Sequence, residues 1–331
     1  MPNKKKKRSS KPGKSKQRVE KESIDQNLPS ARATQEAAHD QAAAQTPPSS
    51  RKVPPPPKQF PVFEKAYRNI DFLTSPHARS IRVQCEMTEP EVRFREQQVE
   101  NTIVLFGSAR IPPPSIAKKN LKKIEDEVAE SKSLSREQKR NLDHTRRMIR
   151  SAHYYQEATQ LSHDLTKWSL DNIKPGPKRF YICSGGGPGI MEAASRGAYE
   201  AGGKSVGLGI SLPFEQHLNV YTTPELGFEF HYFFVRKYWF LYLAKALVVF
   251  PGGFGTLDEL FEMLTLVQTQ KTQKYMPVVL YGSEFWNEVI NFEALVDWGV
   301  ISKEDLDLFR VSDSVDETRD YLIEELTRYY L

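Results

Sequence analysis

The chain carries at residues 251–259 the stretch PGGFGTLDE, and the fold can be worked out from it. Five apolar residues, 246–250, come before its glycines and end at a proline, which is typical of a buried parallel strand. After the glycines, apolar residues recur at helical spacing and form one stripe: Leu257, Leu260, Phe261, Leu264 and Val267. The pattern therefore predicts a turn between a buried strand and a helix.

The composition of this turn favours a phosphate ligand. Gly252, Gly253 and Gly255 lack side chains where the backbone must turn tightly or let a ligand approach. Thr256 is predicted to be the N-cap of the helix, and the N–H groups after it carry the positive end of the helix dipole. A structural interpretation stays open, because Thr256 and Glu259 also fit a capping box that only stabilises the helix start.

A second glycine-rich turn, SGGGPG at residues 184–189, follows a predicted strand at residues 180–183 and precedes a helix from Ile190. Further strands are predicted at residues 102–106, 205–210 and 277–281, a short strand or extended segment at residues 230–234, and closing helices at residues 285–298 and 315–330. Alternation of strands and helices predicts an α/β fold, a doubly wound, Rossmann-like parallel sheet with helices on both faces. Ligands of such sheets bind beyond the carboxyl ends of the strands, where both glycine turns are expected.

Charge is distributed unevenly along the 331 residues. Residues 1–58 hold 14 Lys or Arg and 5 Asp or Glu, so their balance of +9 exceeds the net charge of +5 for the whole chain. They lack apolar periodicity and end in a proline run, which predicts a disordered basic tail that suits nucleic acid or another anionic surface. Residues 59–98 are predicted to dock on a domain formed by residues 99–331. Within that domain, residues 115–150 are expected to be a charged helical insertion, and residues 115–173 to form two helices separated by a capping box at Ser135.

Several protein classes are not favoured. The chain has no apolar run of transmembrane length and no apolar segment after its basic start, so we expect a cytoplasmic protein without membrane partners. Two cysteines make a disulfide framework or a cysteine metal cluster a poor interpretation. The dinucleotide fingerprint fails, because counting from Gly185 its third glycine would fall on Ile190, and no P-loop motif is present. A mononucleotide with one phosphate fits the two turns better.

The stretch at residues 251–259 matches the PGGxGTxxE signature of the Lonely-Guy (LOG) family, whose members are also labelled lysine-decarboxylase-like. The chain resembles this family from about residue 101 to about residue 281. The family's enzymes cleave the base–ribose bond of nucleoside 5′-monophosphates and release ribose 5-phosphate. The resemblance implies a phosphoribohydrolase that acts on a purine nucleoside monophosphate, uses water with no metal and no organic cofactor, and forms a homodimer or a larger homo-oligomer.

The resemblance also implies site residues. The family carries an Arg-Lys pair with a catalytic arginine, which matches Arg236 and Lys237, and Glu259 supplies the carboxylate. Breaking an N-glycosidic bond passes through an oxocarbenium-like state, which a carboxylate stabilises or attacks through an activated water. The residues expected to contact substrate are Ser108, Gly186, Gly187, Phe233, Gly252, Gly253, Gly255 and Thr256. Phe233 and Phe234 stand where cytokinin-activating members have a Met-His pair, so the base released stays open.

Other functions remain to be separated from this one. A non-catalytic nucleotide-binding or carrier protein on the same fold would keep the glycine turns without needing Arg236 and Glu259. A nucleic-acid-associated protein could work through residues 1–58. Pyridoxal-dependent decarboxylation is not favoured, because Lys204 and Lys245 have no recognisable setting for a Schiff base.

Overall fold

Within the part of the chain that the structure describes, seven parallel strands form one sheet in the order β4-β3-β2-β1-β5-β6-β7. The strands are β1 (Asn101–Phe106), β2 (Phe180–Ser184), β3 (Ser205–Ile210), β4 (Gly227–Phe230), β5 (Ala244–Val249), β6 (Val278–Tyr281) and β7 (Arg310–Ser312). β1 pairs with β5 at the centre, and the later strands extend away from this pair in opposite directions. The predicted doubly wound α/β fold is confirmed. The carboxyl ends of β1 and β5 mark its topological switch point, where such sheets bind ligands.

The structure, a computed structural model, describes residues 63–129, 133–212 and 217–331. The predicted tail at residues 1–58 and the first residues of the predicted docking segment lie outside this part. The helices are α1 (Ile70–Thr74), α2 (Arg79–Glu96), α3 (Pro114–Ala129), α4 (Arg136–Ser151), α5 (His153–Asn172), α6 (Ile190–Glu200), α7 (Phe233–Leu243), α8 (Phe254–Gln268), α9 (Ser283–Val289), α10 (Phe292–Asp297) and α11 (Val315–Tyr330). No described helix is long and apolar enough to cross a membrane.

The sheet has an apolar core on each face. Side chains alternate along β1, so that Val104 and Phe106 belong to one core and Ile103 and Leu105 to the other. Helices α2, α7 and α8 supply the first core, and α5, α6 and α11 supply the second. Full burial of one such side chain contributes about 1.5–3 kcal/mol. Helices on both faces thus hold the carboxyl edge of the strands in place.

The crossover from β1 to β2 contains three helices, so the predicted division into two is wrong. The capping box that begins α4 is confirmed: the Ser135 hydroxyl accepts from Gln138 N–H at 3.1 Å, and the Gln138 side chain accepts from Ser135 N–H at 3.0 Å. Helix α5 covers the sheet with fully buried Leu161 and Leu165. Helices α3 and α4 instead form a hairpin with few buried residues, because charged positions dominate their sequences.

Two further boundaries differ from the prediction. The short strand or extended segment predicted at residues 230–234 is wrong: β4 ends at Phe230, and Phe233 and Phe234 begin α7. A short aromatic run fits a buried helix as well as a strand, and only its tertiary contacts decide. The predicted helix at residues 285–298 is split into α9 and α10, because the Asn291 side chain accepts from Ala294 N–H at 3.0 Å and starts a new helix.

Candidate functional site

Backbone hydrogen bonds connect the turns that follow β1, β2 and β5. Ser108 N–H donates to Pro251 C=O at 3.0 Å, and Ile190 N–H donates to Ser108 C=O at 3.1 Å. Gly189, at the end of the second turn, has φ of +69°, and a Cβ on it would lie 2.3 Å from the Ser108 carbonyl oxygen. Only glycine fits both the dihedral and the contact. The three turns therefore form one connected edge beside the switch point.

Asn219 forms hydrogen bonds to the backbone of the second glycine turn. Its backbone N–H donates to Gly186 C=O at 2.7 Å, and its side-chain amide donates to Gly186 C=O at 2.9 Å and to Gly187 C=O at 3.1 Å. From the sequence alone, Asn219 was assigned no individual role. Its loop neighbours 213–216 lie outside the described residues. These bonds satisfy the buried carbonyl oxygens of Gly186 and Gly187 and fix the conformation of the turn.

The turn after β5 differs from the prediction in one respect. Helix α8 begins at Phe254 with Gly253 as its N-cap, so the prediction that Thr256 is the N-cap is wrong. Thr256 is buried at the third helical position, where a Cβ on Gly252 would lie 2.2 Å from its hydroxyl oxygen. Glu259 lies one turn further on, so the capping-box interpretation is wrong too.

Because no side chain caps it, the N-terminus of α8 is available to a ligand. Gly253 makes no side-chain cap, and neither Gly253 nor Gly255 has an atom within 4 Å of where a Cβ would stand. The first N–H groups of a helix have no intrahelical acceptor. Uncapped donors on an open glycine turn are a suitable site for one phosphate group.

Arg236 and Glu259 form an ion pair beside this turn. The Arg236 guanidinium donates to the Glu259 carboxylate, and each side chain is 11% exposed. Burial raises the pKa of Glu259 to about 7, although the neighbouring Arg236 acts in the opposite direction. Arg236 Nε is also buried and has no hydrogen-bond partner among the described residues. A carboxyl group that titrates near neutrality at a ligand-binding edge is suited to proton transfer.

Lys237 makes a second connection between α7 and α8. Its ammonium lies 2.7 Å from Asp258 and 2.9 Å from Glu262. Burial lowers the pKa of Lys237, but hydrogen bonds to these two carboxylates outweigh that effect and raise it. Lys237 was predicted only as the second residue of the Arg-Lys pair, with no partner of its own. The signal for it was the acidic pair that flanks Glu259 in residues 258–262.

Aromatic and acidic side chains fix the start of α7. The Arg236 guanidinium lies 5.6 Å from the Phe233 ring and 5.4 Å from the Phe240 ring, within cation–π range. Phe233 is half exposed and so can contact a ligand. The Glu86 carboxylate of α2 accepts from the N–H of Tyr232, the N-cap of α7, at 3.2 Å. Glu86 was not among the predicted site residues, because its contact spans 146 residues.

The structure thus brings the predicted site residues to one edge of the sheet. The glycine turns contribute Ser108, Gly186, Gly187, Gly252, Gly253 and Gly255, with Thr256 beneath them. Lys204 and Lys245 lie at the amino ends of β3 and β5, on the opposite edge. Among the described residues, no group of three or more His, Cys, Asp or Glu side chains could hold a metal ion.

Comparison with known proteins supports the resemblance. The family model described as "Possible lysine decarboxylase" matches residues 191–322, a segment that includes Arg236 and Glu259. A curated relative from Arabidopsis thaliana, named cytokinin riboside 5′-monophosphate phosphoribohydrolase LOG7, is 28% identical over 153 residues. That match covers 45% of this chain and 64% of the relative, so the chain spans a little under two thirds of the relative's length.

Two solved structures are also similar. The X-ray structure of TM1055 has a TM-score of 0.40 at 18% identity, and the match covers 68% of this chain and 99% of that one. The molybdenum cofactor binding protein of the phototrophic bacterium Rippkaea orientalis has a TM-score of 0.35 at 18% identity, with 51% and 86% covered. Both structural likenesses are weak, and nothing about ligands follows from them. The family match, the plant relative and the PGGFGTLDE turn together show that this chain resembles the LOG family.

Proposed function

We propose that this protein is a hydrolase that cleaves the N-glycosidic bond of a purine nucleoside 5′-monophosphate and releases the free base and ribose 5-phosphate. The observation that carries the proposal is the largely buried Arg236–Glu259 pair beside an uncapped glycine turn. The plant relative, a phosphoribohydrolase by name, supports the same reaction type.

The 5′-phosphate would bind at the turn between β5 and α8. Gly253 and Gly255 leave the backbone open, and the first N–H groups of α8 face solvent without a side-chain cap. The positive end of a 15-residue helix dipole adds a favourable interaction with an anion. The ribose would then lie over the turns after β1 and β2, with the base towards half-exposed Phe233.

Glu259 would act on the sugar. As the bond from C1′ to the base nitrogen breaks, its electron pair leaves with the base and positive charge develops on the ribose. The carboxylate of Glu259 stabilises that charge and accepts a proton from the water that adds to C1′. The departing base nitrogen takes up one proton from solvent and Glu259 then returns its proton to solvent, so water supplies OH to the ribose and H to the base with no net change in protons. Arg236 holds the carboxylate in position through its charge-assisted hydrogen bond.

The test is an incubation of the purified protein with AMP, GMP, IMP, CMP and UMP, followed by chromatography of the free bases and an assay for ribose 5-phosphate. We expect purine release in equal amounts with ribose 5-phosphate, and a kcat/KM for AMP well above that for adenosine. Equal values for AMP and adenosine would contradict a phosphate-binding turn. Tight AMP binding without base release would instead favour the non-catalytic nucleotide-binding alternative.

We also propose that a second copy of the chain covers the outer face of α8. Phe254 is 93% exposed, and together with Leu257, Phe261 and Leu266 it lines an apolar groove along that helix. Exposed aromatic side chains of this kind are enriched at protein interfaces. Light scattering should give the mass of a dimer or larger oligomer, and Phe254→Glu should lower it. A monomeric mass for the unaltered chain at micromolar concentration would refute this proposal.

A further inference from the structure

Both cations of α7 and α8 are already paired with carboxylates, so neither is free to bind a phosphate. Arg236 pairs with Glu259, and Lys237 pairs with both Asp258 and Glu262. These five side chains carry a formal charge of −1 when all are ionised. A phosphate monoester has a charge of about −1.5 to −2 at pH 7, so it needs a cation from another element.

Arg110, in the turn after β1, is a cation that pairs with no residue in the described part of the chain. By sequence, it is the only Lys or Arg in the loops that directly follow strands β1 to β5. Its side chain is exposed and forms no ion pair or hydrogen bond within the described ranges 63–129, 133–212 and 217–331. Its position, by contrast, is fixed, because its backbone N–H donates to the Ser108 hydroxyl at 3.1 Å.

The same turn reaches the proposed phosphate site. Ser108 N–H donates to Pro251 C=O at 3.0 Å, directly before the glycines that lead into α8. Arg110 is two residues beyond Ser108, a separation of at most about 7 Å along an extended chain. The backbone of Arg110 therefore lies near the glycine turn. Its guanidinium can bind an anion without first breaking an ion pair to a described residue.

We propose that Arg110 binds the 5′-phosphate of the substrate from the side opposite the α8 N-terminus. The inference rests on the proposed function for the identity of the ligand. Guanidinium groups bind phosphate through two parallel N–H···O bonds, whereas lysine offers a single point charge. Arg110 would thus supply the positive charge that the Arg236–Glu259 and Lys237 pairs do not.

The test compares AMP with adenosine in calorimetric binding experiments, using Glu259→Gln protein so that no substrate is consumed. In that background we expect Arg110→Ala to weaken AMP binding by about ten- to a hundredfold, the usual effect of losing hydrogen bonds to a charged group. Adenosine binding should change less than twofold, and Arg110→Lys should fall between the two. Arg140→Ala, which removes another exposed arginine from α4, serves as the matched control and should leave both affinities unchanged.

The possible outcomes separate this inference from the proposed reaction. Unchanged AMP affinity in Arg110→Ala, an equal loss for AMP and adenosine, or no AMP binding by the parent protein would overturn the role of Arg110. If the unaltered protein releases base from AMP and Arg110→Ala keeps its KM, the reaction stands and the inference fails. If the protein binds AMP through Arg110 but releases no base, the reaction fails and the inference stands.

Discussion

Replacing Glu259 by Gln tests the proposed reaction most directly. The substitution keeps the size of the side chain and an oxygen that can accept from Arg236, but it removes the negative charge. Glu259 and Arg236 are each 11% exposed, so solvent cannot replace that charge. Loss of a general base typically slows turnover by about 10²–10⁴-fold, which corresponds to about 2.7–5.5 kcal/mol in the activation barrier.

The same substitution should affect stability less than activity. A hydrogen bond to a charged partner contributes about 1.5–3 kcal/mol, and the Gln oxygen can retain part of it. At about 2–4 °C per kcal/mol for a domain of this size, the melting temperature should fall by no more than about 12 °C. The protein should stay folded at 25 °C and bind AMP while releasing base at least about a hundredfold more slowly.

The assay measures base release from AMP and thermal melting for the unaltered protein, Glu259→Gln and Glu262→Gln. Glu262 is the matched control, because it lies one helical turn further along α8 and pairs with Lys237 instead of Arg236. A release rate for Glu259→Gln within tenfold of the unaltered protein would refute our assignment of the carboxylate. Loss of activity in Glu262→Gln alone would move the role to that residue.

Three further outcomes are expected from the structure and the sequence. Because burial raises the pKa of Glu259 to about 7, kcat/KM should rise as pH increases through about 7. The stability that this carboxyl provides when protonated should be lost as pH rises towards the same value. A kcat/KM profile that is flat from pH 5 to 9 would contradict this. Gly189→Ala should lower the melting temperature more than Gly202→Ala. Both glycines have a positive φ, but only at Gly189 would a Cβ meet the Ser108 carbonyl, whereas Gly202 has no close neighbour. Equal melting temperatures for the two variants would argue against the close contact. Removal of residues 1–58 should change the melting temperature by only a few degrees, since the segment has too few apolar residues to offset its ordering entropy, whereas a large loss would assign the tail a structural role.

Much of the fold could be predicted because its signals are local. The apolar run before Pro251, the glycines after it and the helical stripe that follows are consecutive in sequence, and each matches one element of the structure. The same holds for β3 and α11, whose predicted bounds equal the observed ones. The bounds of elements without such signals were predicted less accurately, as the hairpin of α3 and α4 shows. The sequence of a highly charged helix indicates little about where the helix begins and ends.

The parts of the site that were missed depend on contacts between distant segments. Thr256 has the side chain of a good N-cap, yet α8 begins two residues earlier, at Phe254, and Thr256 is buried in its first turn. Asn219 bonds to Gly186 across 33 residues, and Glu86 bonds to Tyr232 across 146. No spacing rule within one segment reveals such partners, since only the folded sheet brings them together.

The burial of the Arg236–Glu259 pair favours a functional role over a purely structural one. Removing two charges from water costs several kcal/mol per ion, and well-packed apolar residues often replace such pairs without loss of stability. The Lys237 contacts already connect α7 to α8 where water can reach Asp258 and Glu262, so a second, buried pair is not needed to orient the helices. Its position at the switch point, beside an uncapped helix N-terminus, and the raised pKa of Glu259 are what a general base requires. A double variant that combines Arg236→Met with Glu259→Leu, and so replaces the ions by an apolar pair, should therefore keep the fold and lose the reaction. Full activity in that double variant would show that the pair only connects the helices.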